Sequence, residues 1–279
     1  MAGYREGPYH YRIAQYLNTH PGDLQEFVET ANSLDDFAKV FDMLKPRVRA
    51  LAVKFASRII TKTAKQIADT GYRSGKLKIV KGFPETGEID LDRSLEYFMD
   101  EPERGILDNL ATYNRLREKS AFVIMIDHSY SMRGLKIVLA AITAATIAYH
   151  FKTDFSVLAF SNKVKVLKAI NHMTGPEKVV EQLFDLKLQG DTNVRLALEE
   201  GLKQVSDFAE KKGLILTDGS WNTGGNPLDM AAKYDKLNVI GFPPANPDKV
   251  KLLSNRGKGE FAFVETEKQI ANAIIKCIN

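Results

Sequence analysis

Residues 121–132 read Ala-Phe-Val-Ile-Met-Ile-Asp-His-Ser-Tyr-Ser-Met. Ala121 to Ile126 is apolar throughout, the pattern of a strand covered on both faces, and the polar residues begin at Asp127. Outward from this strand the pattern repeats. Leu135 to Phe151 reads as a largely apolar helix and Phe155 to Phe160 as a second strand. Val164 to Leu167 reads as a third, paired with it by a hairpin across Ser161-Asn162-Lys163. A helix from Thr174-Gly-Pro-Glu177 to Leu188 and another over Val194 to Phe208 precede a strand at Leu214 to Thr217. Asn226-Pro227 opens a further helix, Leu237 to Phe242 and Phe261 to Val264 are strands, and Thr266 caps the terminal helix. Such alternation predicts an α/β fold: a doubly wound, mostly parallel, Rossmann-like sheet with helices on both faces.

In such a sheet ligands collect outside the carboxyl ends of the strands, so the residues that follow each strand are the candidates for chemistry. Three segments stand there: Asp127-His128-Ser129-Tyr130-Ser131-Met132, Gly190-Asp191-Thr192-Asn193 and Asp218-Gly219-Ser220. They supply carboxylates and hydroxyls without any need for Cys or His, a hard-oxygen set that suits Mg²⁺ or Mn²⁺ rather than Zn²⁺. In an extended segment Asp127, Ser129 and Ser131 point the same way. With neutral hydroxyls in the shell the ion stays electropositive and keeps a position open, which an acidic side chain of a partner can fill.

Asp127-x-Ser129-x-Ser131, Thr192 and Asp218, in that order and on those elements, resemble the metal-ion-dependent adhesion site of a von Willebrand factor type A domain, over roughly residues 118–279. The resemblance implies that Ser129, Ser131 and Thr192 contact the ion, while Asp127 and Asp218 hold it directly or through water. It also implies a protein-interaction module. Two positions depart from the motif's usual look: Tyr130 and Asp191 stand where many relatives have Gly. Tyr130 changes how a partner approaches, and Asp191 adds negative charge beside the ion. With Ser220, these two are read as partner-contacting residues.

Before residue 118 the apolar spacing is mostly helical, so the chain divides into a mainly helical N-terminal region, 1–117, with a small β-hairpin near 76–91, and the α/β domain, 118–279. Leu34, Phe37, Ala38, Phe41 and Leu44 form a stripe behind a Ser33-x-x-Asp36 start. Pro46 opens a longer helix with Val48, Leu51, Ala52, Phe55, Ile59 and Ile67 on one side and Arg47, Lys54, Arg58, Lys62 and Lys65 on the other. Asp92 is read as the cap of a helix running to Met99. The charge is polarised: residues 45–81 carry eleven Lys or Arg against Asp69 alone, and 85–108 carry nine Asp or Glu against Arg93 and Arg104. A basic helical segment, the stretch Gly87-Glu88-Ile89-Asp90-Leu91-Asp92-Arg93-Ser94-Leu95 and a polar lead into the domain are similar to intracellular CoxE-like proteins. These work beside MoxR-type AAA+ ATPases, so the resemblance implies an adaptor for such an ATPase.

Composition agrees with a folded protein. The 279 residues, about two domains at ~150 each, are 44% apolar and 27% charged, with a net charge of only +4. One cysteine, Cys277, fits a reducing compartment, which points to the cytosol, and neither a signal peptide nor a membrane span is read in the chain. Catalytic motifs fall short. Gly71-Tyr-Arg-Ser-Gly75-Lys76-Leu77 lacks one spacer residue and the Ser/Thr of a phosphate-binding loop. No Gly-x-Gly-x-x-Gly follows a strand, and no Gly-x-Ser-x-Gly elbow occurs. The expectation is a metal-dependent adaptor and not an enzyme. The alternative is a nucleic-acid-binding protein using the basic 45–81 segment, against which stands the scarcity of aromatics there, Phe55 and Tyr72 alone.

Overall fold

A strand that is apolar on both faces needs a layer of helices on each side, and the computed structural model supplies both. It describes residues 8–30, 34–69, 76–81, 88–116, 121–151, 155–188 and 190–278. The elements are α1 (Pro8–Thr19), α2 (Leu24–Thr30), α3 (Leu34–Asp42), α4 (Pro46–Asp69), β1 (Lys76–Lys81), β2 (Glu88–Asp90), α5 (Leu91–Asp100), α6 (Gly105–Asp108) and β3 (Ala111–Leu116). Then follow β4 (Phe122–Asp127), α7 (Leu135–Phe151), β5 (Phe155–Phe160), β6 (Val164–Lys168), α8 (Pro176–Phe184), α9 (Val194–Gln204) and β7 (Lys212–Thr217). The chain ends with α10 (Leu228–Ala231), β8 (Lys236–Gly241), α11 (Pro247–Arg256), β9 (Lys258–Phe263) and α12 (Ile270–Ile278).

Six strands form one sheet in the order β6-β5-β4-β7-β8-β9, parallel except for the edge pair β5–β6, which runs antiparallel as the hairpin reading expects. Numbered from β4 the order is 3-2-1-4-5-6, and it reverses between β4 and β7. That switch point is where a doubly wound sheet opens a crevice at the carboxyl ends of its strands. Every residue of β4 is buried. Val123 and Met125 face the core under α9, α10 and α11, and Phe122, Ile124 and Ile126 face the core under α7, α8 and α12. The helix α7 is apolar on nearly every side because it is itself enclosed, with the sheet on one side and α3 and α4 on the other.

Residues 1–72 and 121–278 belong to one compact unit, and residues 73–120 with Asn279 to another. The division by compactness therefore differs from the two regions read in the sequence, because the N-terminal helices cover α7 and share its core. On α4, Val48, Ala52, Val53, Ala56, Ile60 and Ala64 are buried, while Arg47, Lys54, Arg58, Lys62 and Lys65 are exposed, as the amphipathic pattern predicts. Leu51, assigned to the apolar stripe, is exposed instead.

In the small unit the expected hairpin does not form. β1 and β2 both pair antiparallel with β3, in the order β1-β3-β2, so a segment read as a polar lead is the central strand. The alternation in Ala111-Thr-Tyr-Asn-Arg-Leu116 carries that strand, and its polar residues hid it. The 82–87 spacer and Ser33 lie outside the described residues. The cap of α5 is Asp90, accepting from Arg93 N at 3.2 Å, rather than Asp92. Helix α11, capped by Asn246, was not foreseen, whereas the Thr266 cap is present as a reciprocal capping box with Gln269.

Candidate metal centre

Asp127 is the last residue of β4 and has no exposed surface. Its Oδ1 accepts the Ser129 backbone N–H at 2.9 Å, and its Oδ2 accepts the Thr217 hydroxyl at 2.7 Å from the end of the neighbouring strand β7. Burial pushes its carboxyl up to about 6, against the lowering effect of those hydrogen bonds, and Asp218 adds to the rise. A carboxylate held this way is one that a cation relieves.

The loop after Asp127 is not extended, as the sequence reading assumed. Tyr130–Met132 is a 3₁₀ turn with Ser129 at its amino end. The turn still brings the two hydroxyls together, with Ser129 Oγ 3.1 Å from Ser131 Oγ. Ser129 is buried, Ser131 is exposed, and Tyr130 is 61% exposed at the rim. His128, inside this stretch, donates its backbone N–H to Phe160 O at 2.8 Å, and burial lowers its imidazole from the usual range.

Asp218 follows β7, across the switch point from Asp127, and is 1% exposed. Its Oδ1 accepts Ser220 N at 3.0 Å and its Oδ2 accepts Lys136 Nζ at 2.8 Å. Gly219 permits the tight turn with φ +74° and donates to Thr217 Oγ1 at 3.1 Å. Thr192, 3% exposed, is joined to this loop through Asn222. Its N–H donates to Asn222 Oδ1 at 2.9 Å, and its carbonyl accepts from Asn222 N at 3.2 Å. Asn222 also donates from Nδ2 to Asp191 Oδ1 at 2.9 Å, so Asp191 braces the loop.

The structure thus links Asp127, Ser129 and Ser131 directly, joins Asp218 to them through Thr217 and Lys136, and ties Thr192 to the Asp218 loop. Tyr130, Asp191 and Ser220 stand exposed around them. Thr217, Lys136 and Asn222 were missed by sequence reasoning. Thr217 lies inside the Leu-Thr-Asp-Gly turn, and Lys136 is the one Lys or Arg in a largely apolar helix, signals that were present but pointed to no partner. Lys136 spans three segments, donating also to Ser131 O at 2.9 Å and Pro244 O at 3.2 Å.

Among the described residues no three His, Cys, Asp or Glu side chains gather as a metal cluster. An ion here would rest on two carboxylates and on hydroxyls, a donor set that fits a hard divalent cation. The five exposed basic residues of α4 are not part of this site.

The von Willebrand factor type A domain family profile matches residues 122–275. Bacillus subtilis (strain 168) protein YwmC, described as uncharacterised, is 32% identical over 124 residues, a match taking in 39% of this chain and 55% of that one. The chain thus spans about half the length of that relative. Among solved structures, an aerotolerance-related membrane protein from Bacteroides fragilis is 17% identical, with a TM-score of 0.49, covering 57% of this chain and 99% of that one. Proximal thread matrix protein 1 from the mussel byssus, with a zinc-occupied MIDAS motif, is 16% identical with a TM-score of 0.43, covering 55% of this chain and 45% of that one. No helix among the described residues is long and apolar enough to cross a membrane. With the family profile spanning the whole six-stranded sheet and the motif standing at its switch point, the chain belongs to the von Willebrand factor type A domain family.

Proposed function

We propose that this protein is a metal-dependent adaptor in which Ser129, Ser131 and Thr192 supply neutral oxygens, and Asp127 and Asp218 the negative charge, for Mg²⁺ or Mn²⁺. The bound ion would supply Lewis-acid attraction for an Asp or Glu carboxylate of a partner protein. One observation carries the reading: a carboxylate with no exposed surface, Asp127, stands beside a pair of hydroxyls 3.1 Å apart at the point where the strand order reverses. Thr217 and the Ser129 N–H orient Asp127, while Lys136 and the Ser220 N–H orient Asp218. The site holds a partner and turns over no substrate. A MoxR-type AAA+ ATPase as that partner, and a cytosolic setting, belong to the same proposal. They rest on the CoxE-like order of the N-terminal segments and on the single cysteine.

The test is a pull-down from source lysate with wild type and Asp127→Ala, each in Mg²⁺ and in EDTA, alongside thermal melts of both proteins titrated with Mg²⁺, Mn²⁺ and Zn²⁺. The expected result is a partner retained only by wild type with metal, together with a metal-dependent rise in melting temperature that the variant lacks. Retention that ignores EDTA sinks the reading.

A second reading is favoured by one observation, the five exposed Arg and Lys side chains along α4. Nucleic acid bound there would be released steeply between low and moderate salt and would be indifferent to EDTA.

A further inference from the structure

The metal loop does not end at the α/β core. Arg133, directly after Met132, donates from Nε to Asp42 Oδ2 at 2.8 Å, and Asp42 is the last residue of α3. The same guanidinium donates to Tyr130 Oη at 3.1 Å and lies 5.7 Å from the centre of the Tyr130 ring. Tyr130, the exposed residue between the two serines, is thereby held toward the N-terminal helices. Arg49, one turn into α4, lies 4.5 Å over the Phe41 ring and feels both Asp42 and Arg133.

Beside these groups runs a groove of about 490 Å³. Tyr130, Arg133, Asp42 and Arg49 line it together with the apolar Leu44, Val53 and Leu188. Its lining carries Arg49, Arg133 and Lys187 against Asp42 and Asp185, a formal excess of one positive charge. Burial lowers the Arg49 guanidinium below its usual value, with Asp42 working against that effect and Arg133 adding to it.

We infer that this groove is a second recognition subsite, continuous with the metal face through Tyr130, and that it takes an acidic and apolar segment of the partner protein. One carboxylate of that segment sits at the metal face, a second meets Arg49 and Arg133, and an apolar side chain lies along Leu44 and Leu188. The inference rests on the metal-dependent reading above and deepens it. The helical region chooses the partner, because it builds one wall of the groove, and the metal site anchors it. Two neighbouring guanidinium groups are well suited to a carboxylate, because each offers several donors in a fixed plane.

The experiment uses the full chain and a fluorescein-labelled (Glu-Leu)₄ peptide, with (Gln-Leu)₄ as its neutral counterpart, read by fluorescence anisotropy in Mg²⁺ and in EDTA. Wild type in Mg²⁺ binds the acidic peptide and not the neutral one. Arg49→Ala and the milder Arg49→Gln weaken binding by about tenfold, the scale of one lost charge-assisted contact, while their Mg²⁺-induced rise in melting temperature equals that of wild type. Lys62→Ala, on the exposed face of α4 outside the groove, binds as wild type does. Equal losses for Lys62→Ala, unchanged binding by both Arg49 variants, equal binding of the neutral peptide, or no binding by wild type in Mg²⁺ overturns the subsite. The two readings separate in EDTA. If binding survives chelation yet still falls with Arg49→Gln, the groove stands and carboxylate capture by the metal fails. If chelation abolishes binding and the Arg49 variants match wild type, the groove fails alone.

Discussion

The strands of the six-stranded sheet and the helices of the smaller unit bury very different amounts of side chain. In the sheet β4 and β5 are buried at every position, with a separate apolar core on each face. In the smaller unit no residue of α5 or α6 is buried, and Leu91, Leu95, Met99, Ile106 and Leu107 are all at least 59% exposed. The difference decides where chemistry can be placed. A carboxylate with no exposed surface, such as Asp127, needs a rigid surround that supplies its hydrogen bonds, and only a doubly covered strand end provides one.

The largest effect that bears on this contrast belongs to the centre of β4. Ile124 has no exposed surface and lies in the core shared with α7. Ile124→Ala removes three carbons where neighbours close in on both sides, and is expected to cost about 2–5 kcal/mol in chemical denaturation. A cost under about 1 kcal/mol would mean that the sheet relaxes around the gap, and the contrast between the two regions would weaken.

A smaller effect of opposite sign is expected at Asp127 in EDTA. Its carboxyl is pushed up to about 6 in the folded protein against an ordinary 3.8, so the folded state binds the proton more tightly than the unfolded one. Stability from this group is therefore full below about pH 4, is lost as pH rises to about 6, and stays lost at pH 7. The deficit is about 3 kcal/mol. Asp127→Asn removes the buried charge, and its amide can still accept from Ser129 N and donate to Thr217 Oγ1, which turns its own proton away. Allowing for imperfect geometry, a gain of roughly 2 kcal/mol, or about 5 °C in melting temperature at pH 7, is expected, shrinking toward zero at pH 4. In Mg²⁺ the order reverses, since the wild type gains the ion and the variant does not. Melts at pH 4 and pH 7, with and without chelator, check both halves; a variant less stable than wild type in EDTA at pH 7 contradicts the account.

These contrasts also mark what the sequence made legible. The strands of the large sheet could be read because burial on both faces leaves unbroken apolar runs, as at Ala121 to Ile126 and Phe155 to Phe160. The site residues could be read because a parallel sheet places its loops at one edge: Asp127, Ser129, Ser131, Thr192 and Asp218 each follow a strand or precede a helix there. What stayed hidden was pairing across distance. Thr217 meets Asp127 across 90 residues, Lys136 meets Asp218 across 82, and Arg133 meets Asp42 across 91, and nothing local to either member announces the other. The small sheet stayed hidden for a different reason. Its central strand is half polar, and its two neighbours precede it in the chain, so adjacent strand-like runs suggested a hairpin that the third strand replaces.

The smallest expected effect tests the other half of the contrast. Leu91 opens α5 and is 70% exposed, so its side chain is already mostly in water in the folded state, and removing it forfeits little transfer free energy. Leu91→Ser is expected to change stability by less than about 0.5 kcal/mol, an order of magnitude below the upper range for Ile124→Ala. A global melt would be dominated by the large core, so the informative reading is local: amide hydrogen exchange in the β1–β3 ladder, which pairs Lys76 to Leu116 through Lys81 to Ala111. Protection factors there should stay within about twofold of wild type, the change that 0.5 kcal/mol corresponds to. A tenfold or larger loss of protection would show that the apolar face of α5 is covered in solution. The small unit would then bury an apolar face as the large sheet does, and the contrast between the two regions would shrink.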